Sequence, residues 1–342
     1  MRLSIIVPCR NEQRYIGDCL DSILACDHPR KDLEVLVVDG RSDDGTREIV
    51  SRYAARHPEI RLLDNPRGIV PAALNIGIRA ATGDAIMRMD AHAAYPPDYV
   101  PRLLAALAES GADNVGGCVA TLPADPGPVA GAIAVALSHP FGVGNSYFRI
   151  GAAEPRWVDT VPFGCYRRDV FSRVGLFDED LVRNQDDEFN HRLLRQGGRV
   201  LLVPGVVARY YARGSFAKLA RMYYQYGYFK PLAARKVGRI TTVRQLVPAA
   251  FLVGLVVGGV VALAWPPARL PWLAIAGSYA AAVAGFALLG ARGRGPRCAV
   301  ALAVAFPLLH SSYGAGFLRG IWDVVVRRGR RWADPSTVPL SR

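Results

Sequence analysis

Charge is missing altogether from three stretches of this 342-residue chain: residues 245–268, 271–291 and 298–318. A helix needs about 20 apolar residues to cross a bilayer, so the first two qualify as spans. The third carries Pro307, His310, Ser311 and Ser312, with Gly314, Gly316 and Gly320 close behind. It reads as a third span or, slightly better, as a re-entrant or interfacial hairpin. No span is expected before residue 246, and residues 1–8 run straight into a strand pattern rather than a cleavable leader. The N-terminal region is therefore expected in the cytoplasm, anchored to the inner membrane by the apolar runs at its C-terminal end. Cysteine is scarce as well. Cys9, Cys19, Cys26, Cys118, Cys165 and Cys298 show no paired metal-ligand spacing and read as reduced, buried residues of a cytoplasmic protein.

Acid is absent where bases gather. Lys230, Arg235, Lys236, Arg239 and Arg244 precede the first apolar run with no Asp or Glu among them. Arg292, Arg294 and Arg297 separate the second run from the third, and Arg327, Arg328, Arg330 and Arg331 follow the last. The net charge of +13 thus lies beside apolar runs, as the positive-inside rule and anionic head groups require, and argues for a bilayer rather than nucleic acid as partner. With the tail held inside by those bases, the third run would not cross.

What is present begins with alternation. Apolar strand patterns at 3–7, 33–38, 60–63 and 85–89 are separated by helix patterns at about 12–24, 46–56 and 71–81, which implies βαβ units and a mainly parallel sheet flanked by helices. Further strands are expected at 115–120 and 160–166, a helix-bearing excursion at 123–138, a Gly-rich and mobile stretch at 142–151, and helices from 168 and over 186–194. The organisation expected is a catalytic domain over 1–208, an amphipathic aromatic and basic segment over 209–245 in the membrane interface, a membrane region over 246–318 and a basic cytoplasmic tail over 319–342. An ordinary docking helix is the alternative for the segment after 209.

In open α/β sheets ligands bind beyond the carboxyl ends of the strands. Polar clusters stand at three such ends: Arg10-Asn-Glu12, Asp39 to Asp44, and Asp90-Ala-His92. Asp90 and His92, one residue apart, could direct a carboxylate and an imidazole at one divalent cation, and imidazole suits Mn²⁺ better than Mg²⁺. Asp43 and Asp44 could equally cap the helix that starts at Thr46. Arg67, ahead of Gly68, is a candidate contact for nucleotide or phosphate. Gln185-Asp-Asp-Glu188 puts three carboxylates near a helix start, where the dipole alone accounts for about one.

These segments resemble, in order and spacing, glycosyltransferase family 2: Ile5-Ile-Val-Pro-Cys-Arg-Asn-Glu12, Val37-Val-Asp-Gly-Arg-Ser-Asp-Asp-Gly-Thr46, Asn75-Ile-Gly-Ile-Arg-Ala-Ala-Thr-Gly-Asp84 and Met87-Arg-Met-Asp-Ala-His92. The resemblance continues through Phe163-Gly-Cys-Tyr-Arg-Arg168, Gly175-Leu-Phe-Asp-Glu179 and Asn184-Gln-Asp-Asp-Glu-Phe-Asn-His-Arg192, covering about residues 3–230. Within the family the chain looks most like the succinoglycan-biosynthesis glucosyltransferases, which act on lipid-linked sugars. The resemblance implies a GT-A fold, a UDP-hexose or other nucleotide-sugar donor, a Mn²⁺ or Mg²⁺ ion, and a lipid-linked glycan as acceptor. It maps Asp90 and His92 onto the Asp-X-Asp metal motif, with His in place of the last Asp. It places Pro8, Arg10, Asn11 and Glu12 around the nucleoside, with Asp39 accepting from the uracil imide and Asp90 on the donor. It puts Asp186 at the base position, Asp187 as runner-up, Gln185 where Glu is usual, and Glu188, Phe189 and Arg192 in the later places. One base and no nucleophile beside the donor sugar imply inversion. A polyprenyl-phosphate sugar transferase is the alternative. A degenerate binding protein conflicts with Asp39, Asp90 and the Asp186–Asp187 pair. A processive synthase conflicts with Gln225-Tyr-Gly-Tyr-Phe-Lys230, which is not the Gln-X-X-Arg-Trp motif of such enzymes.

Overall fold

The computed structural model describes residues 1–238 and 245–325. Its N-terminal half runs β1 (Leu3–Cys9), α1 (Ile16–Leu24), β2 (Leu33–Asp39), α2 (Thr46–Arg56), β3 (Ile60–Asp64), α3 (Val70–Ala80), β4 (Ala85–Arg88), β5 (Ala93–Ala94), α4 (Tyr99–Glu109) and β6 (Asn114–Leu122). There follow α5 (Pro128–Ala136), α6 (Pro140–Val143), α7 (Tyr147–Ile150), β7 (Arg156–Trp157), β8 (Cys165–Arg167), α8 (Val170–Arg173), α9 (Gln185–Arg195) and β9 (Val200–Tyr211). Four long helices complete the described chain: α10 (Phe216–Val237), α11 (Val247–Ala264), α12 (Arg269–Gly290) and α13 (Pro296–Val325).

The strands form one sheet in the order β3-β2-β1-β4-β8-β6-β9-β5, with β7 also paired to β9. From β3 to β4 it is parallel, as the alternation implies. Beyond β4 it turns mixed, because β8 lies antiparallel between β4 and β6. Every residue of β1 and β2 is buried, as central parallel strands covered on both faces must be. Alternate residues of β1 serve the two faces. Leu3, Ile5 and Val7 join one core with α1 and α4, while Ile6 joins the other with α3 and α9. In α1 the buried residues are Ile16, Cys19, Leu20 and Ile23, the i, i+3, i+4, i+7 stripe of a helix lying on a sheet. All six cysteines are buried.

Two expectations shift locally. The first helix starts at Ile16, not near residue 12, because Asn11 takes a left-handed φ of 54° and the Glu12 carbonyl accepts from Tyr15 N and Ile16 N. The strand expected over 160–166 shrinks to Cys165–Arg167, since Phe163 at φ 49° breaks the extended run. The Gly-rich stretch forms α6 and α7, with His139 accepting from Phe141 N at the start of α6.

Among the described residues three helices are long and apolar enough to cross a membrane: α11, the stretch Pro266–Gly290 that includes α12, and α13. The third is one continuous helix through Pro307, not a hairpin. Its glycines serve close packing instead of reversal. A Cβ on Gly316 would stand 2.1 Å from Tyr224 O of α10, one on Gly320 2.4 Å from Tyr228 O, and one on Gly314 2.7 Å from Pro248 O of α11. On the α10 side, Gly227 is as tight, 2.1 Å from Tyr313 O. Residues 209–211 finish β9, and α10 then packs against α9 and α13.

Two bases of α10 pair with acids of the catalytic domain. Lys230 pairs with Asp187, and Lys236 reaches Asp178 at 2.6 Å and Asp180 at 2.8 Å. Positive charge there holds the helix to the catalytic domain. Arg239, Arg244, Arg327, Arg328, Arg330 and Arg331 lie outside the described residues.

Candidate active site

The turns after β1 and β2 interlock. Asn11 N donates to Ser42 Oγ at 2.8 Å, Asp43 N to Asn11 Oδ1 at 3.0 Å, and Glu12 N to Thr46 Oγ1 at 2.9 Å. Asp44 accepts from Thr46 N and Gln13 N, so it braces the helix start, the structural role left open for it. Asp39 is fully buried at the end of β2. Its carboxylate accepts from Arg47 at 2.7 Å, from Ser42 N and Oγ, and from Cys9 Sγ. Contact with a base imide would therefore have to replace one of these donors.

Pro8 and Arg10 line a small pocket with Asn65, Gly68 and Ile69. Gly68 takes a φ of 65°, the left-handed conformation that favours glycine. Asn65 Oδ1 is buried in this region without a hydrogen-bond partner, an acceptor that such a position leaves for a ligand. Arg67 points elsewhere: it pairs with Glu179, which also accepts from Asn75 Nδ2 at 2.8 Å.

The carboxylates singled out in sequence meet around one buried cation. Arg88 ends β4 and Asp90 follows two residues on, so alternation sends both to one side. Arg88 Nη2 lies 3.2 Å from Asp90 Oδ1, and its Nη1 lies 3.5 Å from Asp186 Oδ2 in the first turn of α9. Asp186 Oδ1 accepts from Asp187 N at 3.0 Å, and Asp187 pairs with Lys230. Burial and then the charge of Asp187 raise the Asp186 carboxyl above its ordinary range, against the pull of Arg88 and Lys230. Burial works against the Arg88 charge, but Asp90 and Asp186 outweigh it and hold the guanidinium protonated. Glu188 and Arg192 pair at 2.6 Å, and Arg192 also donates to Val174 O and Leu176 O, a brace for α9.

His92 is buried, its ring against Tyr210 at 5.1 Å between centroids, and Nδ1 lies 3.3 Å from Glu12 Oε1. Neither ring nitrogen has an aligned hydrogen-bond partner. Among the described residues no three His, Cys, Asp or Glu side chains converge as a ready metal cage. Two protein ligands, Asp90 and His92, fit an ion that keeps waters and takes its remaining oxygens from a substrate diphosphate. With Nδ1 facing Glu12, the partnerless Nε2 is the nitrogen that would serve that use.

Sequence reasoning missed Arg88, Arg47, Lys230 and Asn65. Arg88 alone had a local signal, its two-residue offset from Asp90. The other three act through tertiary contacts.

The chain is similar to known proteins. The family model described as Glycosyl transferase family 2 matches residues 4–175. The chain is 31% identical over 323 residues to the succinoglycan biosynthesis protein ExoA of Rhizobium meliloti, covering 93% of this chain and 94% of that one. It is 30% identical, over 68% of this chain and 74% of the relative, to a Methanococcus voltae protein described as a dolichyl N-acetyl-alpha-D-glucosaminyl phosphate 3-beta-D-2,3-diacetamido-2,3-dideoxy-beta-D-glucuronosyltransferase. Among solved structures it is similar to the mannosyltransferase PcManGT from Pyrobaculum calidifontis in complex with GDP-Man and Mn²⁺, at TM-score 0.57 and 25% identity, covering 94% of this chain and 87% of that one.

Proposed function

The chain belongs to glycosyltransferase family 2, and from that premise we propose that it moves a hexose from a UDP-sugar, with inversion, to a hydroxyl of a polyprenyl-diphosphate-linked glycan during cell-surface or extracellular polysaccharide synthesis. The observation that carries this reading is Arg88, which stands within 3.5 Å of both Asp90 and Asp186. One cation so placed holds the donor-side carboxylate and the candidate base a fixed distance apart.

Asp186 takes the proton of the acceptor hydroxyl as its oxygen bonds to the anomeric carbon and the bond to the nucleoside diphosphate breaks. Lys230 pairs with Asp187 beside it. Pro8, Arg10, Asn11 and Asp39 lie on the nucleoside side, with Asn65 as an additional acceptor there. Asp90 and His92 would hold Mn²⁺ or Mg²⁺, whose charge neutralises the leaving diphosphate. Arg67 and Glu12 have a weaker claim to the donor, since one pairs with Glu179 and the other lies against His92.

The catalytic domain faces the cytoplasm in this reading, with α11 and α12 crossing the membrane and α13 lying along the domain. In support, 39% of the apolar window of α13 is buried in the protein, against 11% for each of the other two. A protease-sensitive C-terminal tag in inside-out vesicles is expected; a protected tag would make α13 a third crossing.

The test of the reaction is a donor screen with detergent-purified protein, Mn²⁺ and UDP-, GDP- and TDP-sugars, reading nucleoside diphosphate release. Release from one UDP-sugar, abolished by chelator and by Asp90→Ala, is the expected result. Release only from GDP-sugars would overturn the assignment of Asp39 to a pyrimidine imide. Release only from TDP-sugars would keep that contact and change the base, since thymine carries the same imide N–H as uracil.

A further inference from the structure

A cavity of about 600 Å³ lies between the catalytic domain and the long C-terminal helices. One wall holds Asp187, Lys230 and Arg149; the other holds Phe251 of α11, Tyr279 of α12 and Leu309 of α13. It therefore runs from beside the candidate base to all three helices that are apolar enough for a membrane. None of Pro8, Arg10, Asp39 or Asp90 lines it, so it is separate from the nucleoside side.

Charge decides what fits, and the cavity is lined by two acids, Asp159 and Asp187, besides Arg149 and Lys230. Lys230 is already paired with Asp187. Arg149 has its guanidinium over the rings of Phe148 at 5.4 Å and Tyr210 at 5.5 Å, with Nη1 buried and without a hydrogen-bond partner. A buried guanidinium edge left unsatisfied is costly, and a phosphate oxygen is the partner that its fork best matches. Across the cavity, Phe251, Tyr279 and Leu309 offer mainly aromatic and aliphatic surface.

The wall is also tied to the membrane helices. His310 of α13 lies 2.7 Å from Phe141 O through Nε2 and 2.9 Å from Tyr279 Oη through Nδ1. A carbonyl can only accept, so Nε2 carries the proton and Nδ1 of the neutral ring accepts from Tyr279. This chain joins α6 to α12 and α13 and keeps the cavity open between them.

We propose that this cavity is the acceptor's lipid-proximal site: it takes an isoprenoid-like chain carrying a phosphate or diphosphate, with Arg149 holding the anionic group and the hydrocarbon lying against Phe251, Tyr279 and Leu309. The inference rests on the transferase reading for the sugar that such a lipid would present to Asp186.

Farnesyl diphosphate, farnesol and inorganic diphosphate serve as probes, titrated by calorimetry into full-length protein in detergent with chelator present to keep the donor's metal out. Farnesyl diphosphate is expected to bind at least tenfold more tightly than either farnesol or diphosphate alone. Arg149→Gln and Leu309→Trp should each weaken it at least tenfold, with Arg149→Lys recovering part of the loss. Diphosphate binding as tightly as the lipid would mean a free-anion site and overturn the proposal. So would unchanged binding in both variants. Circular dichroism melts identify a variant that has failed to fold, and the other variant then decides. Wild type that binds the lipid probe yet releases nucleoside diphosphate from no donor, with and without extracted lipid acceptors, would leave this site standing and count against the transferase reading alone.

Discussion

Glu12 and His92 face each other in the core of the site, Oε1 and Nδ1 3.3 Å apart and both side chains about 6% exposed. A carboxylate at one imidazole nitrogen orients the ring and raises the basicity of the other, as behind many metal-binding histidines. If His92 holds the metal, Glu12 is expected to act as its positioning residue. Glu12→Gln should raise the Mn²⁺ concentration for half-maximal activity roughly tenfold to a hundredfold. Mn²⁺ binding followed by electron paramagnetic resonance, with nucleoside diphosphate present, checks this without turnover. An unchanged Mn²⁺ dependence with a lowered Tm would make Glu12 merely structural.

The metal preference follows from the same imidazole. Chelation should abolish transfer, and Mn²⁺ should restore it at least as well as Mg²⁺ because nitrogen ligands favour Mn²⁺. His92→Asp should shift the preference towards Mg²⁺. Clear superiority of Mg²⁺ in the wild type would remove His92 from the ligand set.

Asp186 gives a pH prediction whose sign is fixed by its surroundings. Burial and Asp187 raise its carboxyl above the ordinary range, so the acid limb of kcat should fall at a higher pH than for an exposed aspartate. A raised folded-state value also means that the stability it contributes is present at low pH and is lost as pH rises through that value. Asp186→Asn should therefore cut turnover by orders of magnitude, leave donor affinity intact and raise Tm at neutral pH. Near-normal turnover would favour a phosphate acceptor, which needs little proton abstraction, over a hydroxyl.

The parallel half of the sheet was legible because its signals are local. Apolar runs with turn residues after them mark β1 to β4, and α2 lies over Thr46–Arg56 as its pattern implies. Asp90 and Asp186, far apart in the chain, could be placed in one site only by family resemblance, and their shared contact with Arg88 was not foreseen. The bases of α10 show the opposite case. A run without acids looks like a membrane flank, yet Asp178, Asp180 and Asp187 reach it from elsewhere in the chain. The glycines of α13 likewise look like helix breakers in sequence, while in space they mark where two backbones touch.

That contact yields a stability prediction. A Cβ at Gly316 or Gly227 would sit 2.1 Å from a carbonyl oxygen of the facing helix, and backbone cannot swing aside as a side chain can. Gly316→Ala should destabilise by about 1–3 kcal/mol or more, the range of overpacked sites, and loosen α13 from α10. Gly254, in α11, is the control, because a methyl group added there would have no neighbouring atom within 4 Å. Gly254→Ala should be neutral or stabilise by up to about 1 kcal/mol, since it only removes backbone freedom. Thermal unfolding in one detergent, read by a helix signal and by activity together, separates the two. If Gly316→Ala melts like the control, the α10–α13 backbone contact does not hold these helices together.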